Sequence, residues 1–395
     1  MVVAVLSFTT GCAGFWVYPG SQNGSGSGNS SSTGDYVYVA NEDANEESLA
    51  GFSVSSGTLT AVSGSPVNLG FVPKAVVVNP ANTIVFVAGV SGLSGIINSY
   101  SIGSSGALSL LTSYITGSAE EISMDVSPDG QWLLGLDASG AAQNDAIVDV
   151  YQINSTTGQL TALASSEIYP VSLSAGQVIT PLAIKFVPAA GQNTWYLFTA
   201  LGTAGDLEFT FTSNTSSSTP SYSFGSGVVH LQTGSGSVSD NALAVSPNGS
   251  YVFIARSGSS SGVAVYSIGS GGALTSVSGS PFAAGNHPFS VVVNNAGTDV
   301  YVANQIDDTI SGFSIGSTGA LTAISGSPFS SHLGTTVWAL AMDNSGDYLL
   351  AANNGGGPDL TMYSFDQGTA GALDFSTSAP TGTDPTQPVA IAATH

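Results

Sequence analysis

Three stretches of the chain repeat nearly the same sequence. Residues 49–67 read LAGFSVSSGTLTAVSGSPV, residues 263–282 read VAVYSIGSGGALTSVSGSPF, and residues 310–329 read ISGFSIGSTGALTAISGSPF. A period of about 50 residues is typical of folds built from copies of one supersecondary unit, because a single unit cannot bury its own apolar faces. The repetition therefore predicts a ring or stack of similar units.

Each unit is predicted to be a small antiparallel sheet. From Asp35 onward, short runs rich in Val, Ile, Tyr, Phe and Thr alternate with clusters of Gly, Ser, Pro and Asn, which is typical of strands joined by turns. Seven apolar runs that end in a turn mark first strands, and they begin at Ala75, Ile122, Leu182, Leu243, Ser290, Leu340 and Val389. With second, third and fourth strands between them, the pattern predicts an all-β, seven-bladed β-propeller with four-stranded blades over residues 35–395.

The two ends of this region complete one another. Residues 389–395, VAIAATH, form a first strand without a blade of its own, whereas residues 35–41, DYVYVAN, begin with a second strand. Pairing the two would close the ring and remove an open sheet edge. One blade is irregular, because residues 206–227 replace the standard third and fourth strands with an atypical sequence.

Composition excludes one class of partner. The 395 residues include 3 Lys or Arg against 25 Asp or Glu, a formal charge of -22, while 42 % are hydrophobic. Nucleic-acid binding draws its affinity from clustered cations, so we expect no nucleic-acid partner. The abundance of apolar and aromatic residues indicates a folded protein in spite of the low charged fraction of 7 %.

The N-terminal region is predicted to direct export. Residues 1–8 are apolar, the sequence TTGC ends at Cys12, and residues 13–34 include a Gly/Ser-rich stretch that is typical of a flexible tether. This arrangement resembles the end of a bacterial lipoprotein signal, in which the Cys is lipidated. We expect a periplasmic or cell-surface protein, anchored to the membrane only through Cys12. The alternatives are a plain secretory signal and a free buried Cys.

Several motifs resemble those of a known family. The chain contains YVAN at residues 38–41 and 301–304, VSPDG at 126–130, VSPNG at 245–249, and GALT at 272–275 and 319–322. In these it resembles the seven-bladed lactonase propellers, named for the propeller type of bacterial 6-phosphogluconolactonase, and the related YVTN-repeat propellers. The resemblance implies hydrolysis of a sugar or small-molecule lactone by His, Glu and Arg groups at one face of the ring. Family members often carry His or Arg after the Pro that begins an innermost strand, where this chain has Lys74, Leu182, Phe289 and Val389.

Candidate site residues lie in loops that should emerge on one face of the propeller. Arg256 is the lone arginine, and we expect it to anchor an anion with His287 or His332 as general base. The alternative for Arg256 is an ion pair with a carboxylate, and the alternative for the two histidines is that they are plain loop residues. The predicted substrate-binding residues are Glu120, Glu121, Asp307 and Asp308.

We expect no metal ion and no cofactor. The acidic run at residues 41–48 lacks the regular spacing of a calcium loop, and we interpret it as a solvated loop. A different pairing is predicted for Lys185, which lies in the apolar strand LAIKFVP. Lys185 and Asp125 each precede a turn proline by three residues, in adjacent blades, which predicts a structural ion pair or a shared polar network near the channel.

Two functions remain open at this point. The first is hydrolysis of a small-molecule lactone at the mouth of the channel. The second is a non-catalytic envelope protein that binds a glycan, a peptide or another protein, since propellers host both kinds of function. We expect a monomer in either case.

Overall fold

The computed structural model describes residues 34–42, 47–139, 144–162, 166–173, 176–189, 193–214, 220–230, 238–332, 336–355, 357–383 and 387–395. The predicted signal, Cys12 and nearly all of the predicted tether lie outside these residues, so export and lipidation stay predictions. Within the described residues, no helix has the length and hydrophobicity of a membrane span.

The described residues form seven antiparallel sheets, which confirms the predicted seven-bladed propeller. In each blade the first strand is innermost. In blades 1 to 3 the strands, from the inside outward, are Pro388–Ala393, Tyr36–Asn41, Ser48–Ser55 and Thr58–Ala61 with Val67–Asn68; Val72–Val78, Ile84–Ser91, Ser94–Ile102 and Leu108–Gly117; and Glu121–Val126, Trp132–Asp137, Asp145–Ile153 and Leu160–Ala162 with Glu167–Pro170.

Blades 4 to 7 follow in chain order. Their strands are Ala183–Pro188, Thr194–Ala200, Asp206–Asn214 and Ser221–Phe224 with Val228–His230; Val238–Val245, Tyr251–Gly258, Gly262–Ile268 and Leu274–Ser276; Pro288–Val293, Asp299–Asn304, Thr309–Ile315 and Leu321–Ala323 with Phe329–Ser330; and Thr336–Met342, Tyr348–Asn354, Leu360–Phe365 and Leu373–Ala379. A short 3-10 turn covers Ser270–Gly272. The atypical sequence of blade 4 therefore still forms a third and a fourth strand.

The ring closes by strand pairing between the two ends of the propeller, as predicted. Tyr36–Asn41 pairs antiparallel with Pro388–Ala393, with Val39 opposite Ile391. Each innermost strand contacts the innermost strands of the two neighbouring blades, and the series returns to its start. The seven apolar cores of the described residues each draw side chains from two adjacent blades. Burial between blades, rather than within one blade, therefore holds the fold together.

Side chains of one blade form hydrogen bonds with the innermost strand edge of the next blade, which has no partner strand on that side. Ser123 Oγ accepts a hydrogen bond from the Ile184 amide at 3.2 Å, and Asp125 Oδ2 accepts one from the Phe186 amide at 2.8 Å. Asp125 also receives Lys185 Nζ at 3.2 Å, and the Lys185 side chain is 2 % exposed. This confirms the predicted ion pair, and it satisfies edge amides that have no further strand to pair with.

The repeated SGSP sequence has a defined structural role. It lies just after the end of the first fourth-strand segment, and the Ser before each Pro accepts a hydrogen bond from a third-strand amide. Gly51 N donates to Ser65 Oγ at 2.8 Å, Val265 N to Ser280 Oγ at 2.8 Å, and Gly312 N to Ser327 Oγ at 3.0 Å. The side-chain hydroxyl thus replaces a backbone acceptor where the fourth strand leaves the sheet.

The repeated tyrosines of the second strands link consecutive blades. The Tyr38 hydroxyl donates to the Gly106 carbonyl of blade 2 at 2.9 Å, and the Tyr301 hydroxyl donates to the Gly371 carbonyl of blade 7 at 2.7 Å. The receiving turns require glycine, because Gly106 and Gly371 have φ near +78° and +77°. The Tyr and the Gly-Ala-Leu turn therefore recur together because they form one contact.

Removal of one such hydroxyl should weaken the ring measurably. Tyr301 is fully buried, so Tyr301→Phe leaves the Gly371 carbonyl without this donor and should cost about 1 kcal/mol of unfolding free energy. Tyr251→Phe is the matched control, since its hydroxyl reaches the Ser317 carbonyl at 3.0 Å in an exposed position. Urea unfolding should show a clearly larger loss for Tyr301→Phe; equal losses would contradict the argument.

The seam between blades 7 and 1 should respond to pH. Asp35 accepts backbone amides of Asn344 and Ser345, and burial, together with the hydrogen bond and charge of Asp343, raises its pKa from 3.8 to about 7. A group whose pKa is raised on folding favours the folded state below its unfolded pKa, and this contribution is lost as pH rises to about 7.

Asp35→Asn should therefore stabilise the protein above neutral pH. Asparagine is uncharged at every pH and keeps a carbonyl oxygen for the amides, so the variant should melt higher than wild type at pH 8 and equally at acid pH. Asp347→Asn, an exposed change on the same turn, serves as control. A melting temperature at pH 8 that does not rise in Asp35→Asn would refute this role for the seam.

Candidate functional site

The innermost strands carry an irregularity at one face of the ring. We call this face the mouth; there the first strand of each blade begins and the second strand ends. In six blades the register between these two strands shifts near the mouth, so that one extra residue is inserted in the first strand. Such β-bulges re-aim a side chain and often lie beside functional sites.

The bulged positions form a ring of side chains around the mouth. In blade order they are Val389, Lys74, Ile122, Asn241, Phe289 and Trp338. Three of them directly follow the Pro that begins the strand, where the lactonase propellers often carry His or Arg. Among the six, Lys74 is the cation. It was not among the predicted site residues, although its position directly after Pro73 indicated a place at the mouth.

Lys74 lies in a cluster of charges. Its Nζ is 2.9 Å from Glu42 Oε1, and the side chains of Lys74 and Glu42 are 13 % and 33 % exposed. Glu120, from the loop before blade 3, is half-buried beside this pair. An ammonium group that is paired with Glu42 in a partly dehydrated position can still donate to a substrate oxygen, because it has three N–H donors.

The Glu120 carboxyl has a perturbed pKa. Burial raises the pKa of Glu120, the charge of Lys74 opposes that rise, and the nearby carboxylates Asp137 and Glu42 add to it. Asp137 also fixes the backbone, because its Oδ1 accepts the Glu120 amide at 2.8 Å. A part-buried carboxyl with a raised pKa beside a cation is the environment expected of a general base.

Arg256 forms an ion pair, which is the alternative considered for it. Its Nε is 2.6 Å from Asp240 Oδ1, its second terminal nitrogen is 3.1 Å from Asp240 Oδ2, and that nitrogen also lies 3.3 Å from the Tyr266 hydroxyl. Asp240 is fully buried and Arg256 is 8 % exposed. The bidentate geometry orients the guanidinium toward Asp240, and its role as an anion anchor stays a prediction.

His287 lies at the mouth beside aromatic residues. Its ring stacks on Phe289 at 5.9 Å, and Phe289 contacts Trp338 at 4.9 Å. Burial lowers the pKa of His287, which the hydrogen bond with Gln305 partly offsets. Asp307 lies close by, since its Oδ2 accepts the amide of Asn286 at 2.6 Å. Asp308 is in the same loop, where its carbonyl accepts the amide of Ser331.

His332 and Glu121 occupy other environments. His332 packs against Phe375 at 4.9 Å and Tyr363 at 6.1 Å, between blades 6 and 7. Glu121 is 1 % exposed and accepts the Tyr151 hydroxyl at 2.6 Å inside blade 3. The structure thus brings Lys74, Glu42 and Glu120 together at one part of the mouth and His287 and Asp307 together at another, while His332, Glu121 and Arg256 contact different partners.

Two further expectations concern residues at this face. Residues 43–46 of the acidic run lie outside the described part of the chain. Within the described part, no group of three or more His, Cys, Asp or Glu side chains has an arrangement that could hold a metal ion.

Comparison with known proteins bears on the family. Residues 227–339 match the family model described as lactonase, seven-bladed β-propeller. The chain is similar to the lactonase propellers. The match covers blade 5, blade 6 and the start of blade 7, the region that contains two of the three repeated stretches. No curated protein matches the chain by sequence.

Solved structures share the fold over nearly the whole chain. A candidate 6-phosphogluconolactonase from Bacteroides fragilis has a TM-score of 0.71 at 15% identity, covering 93% of this chain and 100% of its own. The periplasmic gluconolactonase of Pseudomonas aeruginosa has a TM-score of 0.66 at 18% identity, covering 91% of this chain and 99% of its own. A candidate 6-phosphogluconolactonase from Bacteroides uniformis gives 0.67 at 17%, covering 91% and 99%. At these identities the likeness concerns the fold.

The Arg256–Asp240 pair can be tested by removing one or both partners. Arg256→Met leaves a fully buried carboxylate without its cation, so the unfolding free energy should fall by about 3–5 kcal/mol. The double variant Arg256→Met/Asp240→Leu should recover most of that loss in urea unfolding. Recovery would identify a structural pair, whereas a double variant as unstable as Arg256→Met would contradict it.

Proposed function

We propose that the protein hydrolyses a small-molecule lactone at the mouth, with Glu120 as general base and Lys74 as the group that stabilises the oxyanion. The observation that supports this most directly is the Lys74 cluster. It places a cation at a bulged position of an innermost strand, 2.9 Å from Glu42 and beside the part-buried Glu120. The similarity to lactonase propellers supplies the reaction class.

The first step requires an ionised carboxylate. Glu120 would accept a proton from water as that water attacks the carbonyl carbon of the lactone. Its raised pKa makes it a stronger base than an ordinary surface glutamate, and the charge of Lys74 keeps the ionised form accessible. The backbone bond from Glu120 to Asp137 at 2.8 Å holds the residue in place for this transfer.

The second step returns the proton. The attack converts the carbonyl oxygen to an oxyanion, and an N–H of Lys74 would donate to it. Collapse of this intermediate re-forms the carbonyl and breaks the bond to the ring oxygen. That oxygen leaves as a hydroxyl after taking the proton that Glu120 holds, so one water and one lactone give one hydroxy acid.

A non-catalytic role is the second candidate, and a separate cavity favours it. A cavity of about 400 Å³ lies between blades 1 and 7, lined by hydroxyl and amide groups together with Phe52. Hydroxyl and amide groups, the carboxyl group of Glu47 and an aromatic face suit a sugar. In that case the mouth cluster would be structural, and the folded protein would hydrolyse no lactone.

The pH dependence of hydrolysis tests the catalytic proposal. In wild type, kcat/KM for a panel of sugar and aliphatic lactones should fall in acid as Glu120 gains its proton, at a pH above the ordinary glutamate value of 4.5. Lys74→Met removes the charge that lowers the pKa of Glu120, so the acid limb should move to higher pH. Glu42→Gln removes a like charge and should move it to lower pH.

The size of the rate loss gives the second readout. Glu120→Gln should lower kcat by about 10²–10⁴, and Lys74→Met by about 10²–10³, as measured by acid release in a pH-stat. Asp374→Asn, an exposed change on an outer strand, should leave the rate unchanged. Turnover unaffected by Glu120→Gln, or absent from the folded wild type on every lactone, would overturn the proposal and favour the binding role.

A further inference from the structure

A second cavity is lined by Asp137, the residue whose Oδ1 accepts the Glu120 amide. It has a volume of about 320 Å³ and is bounded by the outer part of blade 2 and by blade 3. Its polar walls come from Asp137, Asp149, Ser166 and Thr116, and its aromatic walls from Tyr114 and Tyr151. The two tyrosine rings meet edge to face at 5.5 Å. We call it the Asp149 cavity.

Asp149 is a buried carboxyl that lines this cavity. It is 9 % exposed, and its Oδ1 accepts a hydrogen bond from Ser166 Oγ. Among the described residues no donor reaches Asp149 Oδ2, and the same is true of Oε2 of the buried Glu121. Both oxygens are acceptors when their acids are ionised, so a proton shared between the two carboxyl groups is the simplest way to satisfy them.

Glu121 is held firmly next to Asp149. Its Oε1 accepts the Tyr151 hydroxyl at 2.6 Å, and its carboxyl occupies the space where a Cβ on Gly135 would lie, 2.0 Å from Oε2. Glycine at position 135 therefore makes room for this carboxyl in the middle of a buried strand. Because Gly135 has no side chain, the Glu121 carboxyl can fill this space, and the close fit fixes its position.

No lysine or arginine of the described residues forms an ion pair with Glu121 or Asp149. Its three Lys and Arg residues bond to other carboxylates: Lys74 to Glu42, Lys185 to Asp125, and Arg256 to Asp240. None of the described residues that line the Asp149 cavity is Lys, Arg or His. Charge on the pair must therefore be neutralised by a proton or by a cation from solution.

We propose that the Asp149 cavity binds a small aliphatic ammonium ion. The carboxylate of Asp149 would receive its N–H donors, the Tyr114 and Tyr151 rings would contact the charged group, and Ile147 and Ile168 offer apolar surface to an alkyl chain. A metal ion fits less well, because the described residues offer no cluster of three acidic or imidazole ligands. The inference does not depend on lactone hydrolysis.

Binding should release a proton. Burial and the charge of Asp149 raise the pKa of Glu121 well above its usual range, with a smaller contribution from Asp137 and an opposing hydrogen bond from Tyr151. Burial likewise raises the pKa of Asp149, which the Ser166 and Glu121 hydrogen bonds oppose. A bound cation favours the doubly ionised pair, so it should displace the shared proton, and affinity should fall as pH is lowered.

Isothermal titration calorimetry of the full chain with n-propylammonium chloride tests this. Titrations near neutral pH in two buffers of different ionisation enthalpy measure protons released per cation bound. We expect up to about one proton for wild type, and an affinity at least about tenfold weaker in Asp149→Asn. Asp374→Asn should bind as wild type does.

Glu121→Gln separates the linkage from a loss of structure. Glutamine keeps the shape and can donate to Asp149 Oδ2, but it holds no titratable proton, so binding should persist more weakly with almost no proton release. Equal affinity in Asp149→Asn and Asp374→Asn would overturn the proposal. So would the absence of n-propylammonium binding to wild type, or proton-releasing binding of Ca²⁺ without binding of n-propylammonium.

Discussion

The antiparallel pairing of Tyr36–Asn41 with Pro388–Ala393 is the contact on which the rest of the fold depends. Every apolar core in the described residues lies between two blades, so each blade needs a neighbour on both sides. If this pairing opened, blade 1 would lose its innermost strand, and the apolar faces on both sides of it would meet water. The repeated tyrosine and serine hydrogen bonds stabilise the closed ring further, but the ring is closed by the strand pairing.

Much of the fold could be predicted from the sequence because the repeats record the contacts between units. Tyr38 and Tyr301 recur with the Gly-Ala-Leu turns they bond to, and Lys185 and Asp125 could be paired by counting back from their turns. The site was less accessible. A bulge changes hydrogen-bond register without changing composition, so nothing in the residues around Lys74 announces it beyond the preceding Pro. Glu120 and Glu121 are adjacent, yet one is half-buried at the mouth and the other is enclosed in blade 3, since side chains alternate as a strand begins.

The three cations of this acidic chain differ in how exposed their ion pairs are. Lys185 and Arg256 are nearly enclosed with their carboxylates, where removal of one charge would leave the other buried and uncompensated. Lys74 differs because its partner Glu42 is one-third exposed, so a solvent-borne oxygen can compete for its N–H donors. Because of the same shortage of cations, Glu121 and Asp149 lie next to one another without a lysine or arginine partner in the described part of the chain. The partly accessible Lys74 at the mouth and the acidic pair of the Asp149 cavity are therefore two results of one composition.

Six blades share the same bulge at the mouth, but the residue at the bulge differs from blade to blade. Valine, lysine, isoleucine, asparagine, phenylalanine and tryptophan occupy the same inserted position in six blades with the same local register. The bulged backbone therefore accepts an aliphatic, an aromatic, an amide or a cation, although Val389, Ile122, Asn241 and Phe289 are buried there. Chains of this shape can thus diverge in the chemistry of the mouth while their rings remain superimposable, and an exchange at the partly buried Lys74 or Trp338 is the direct way to change what the mouth presents to solvent.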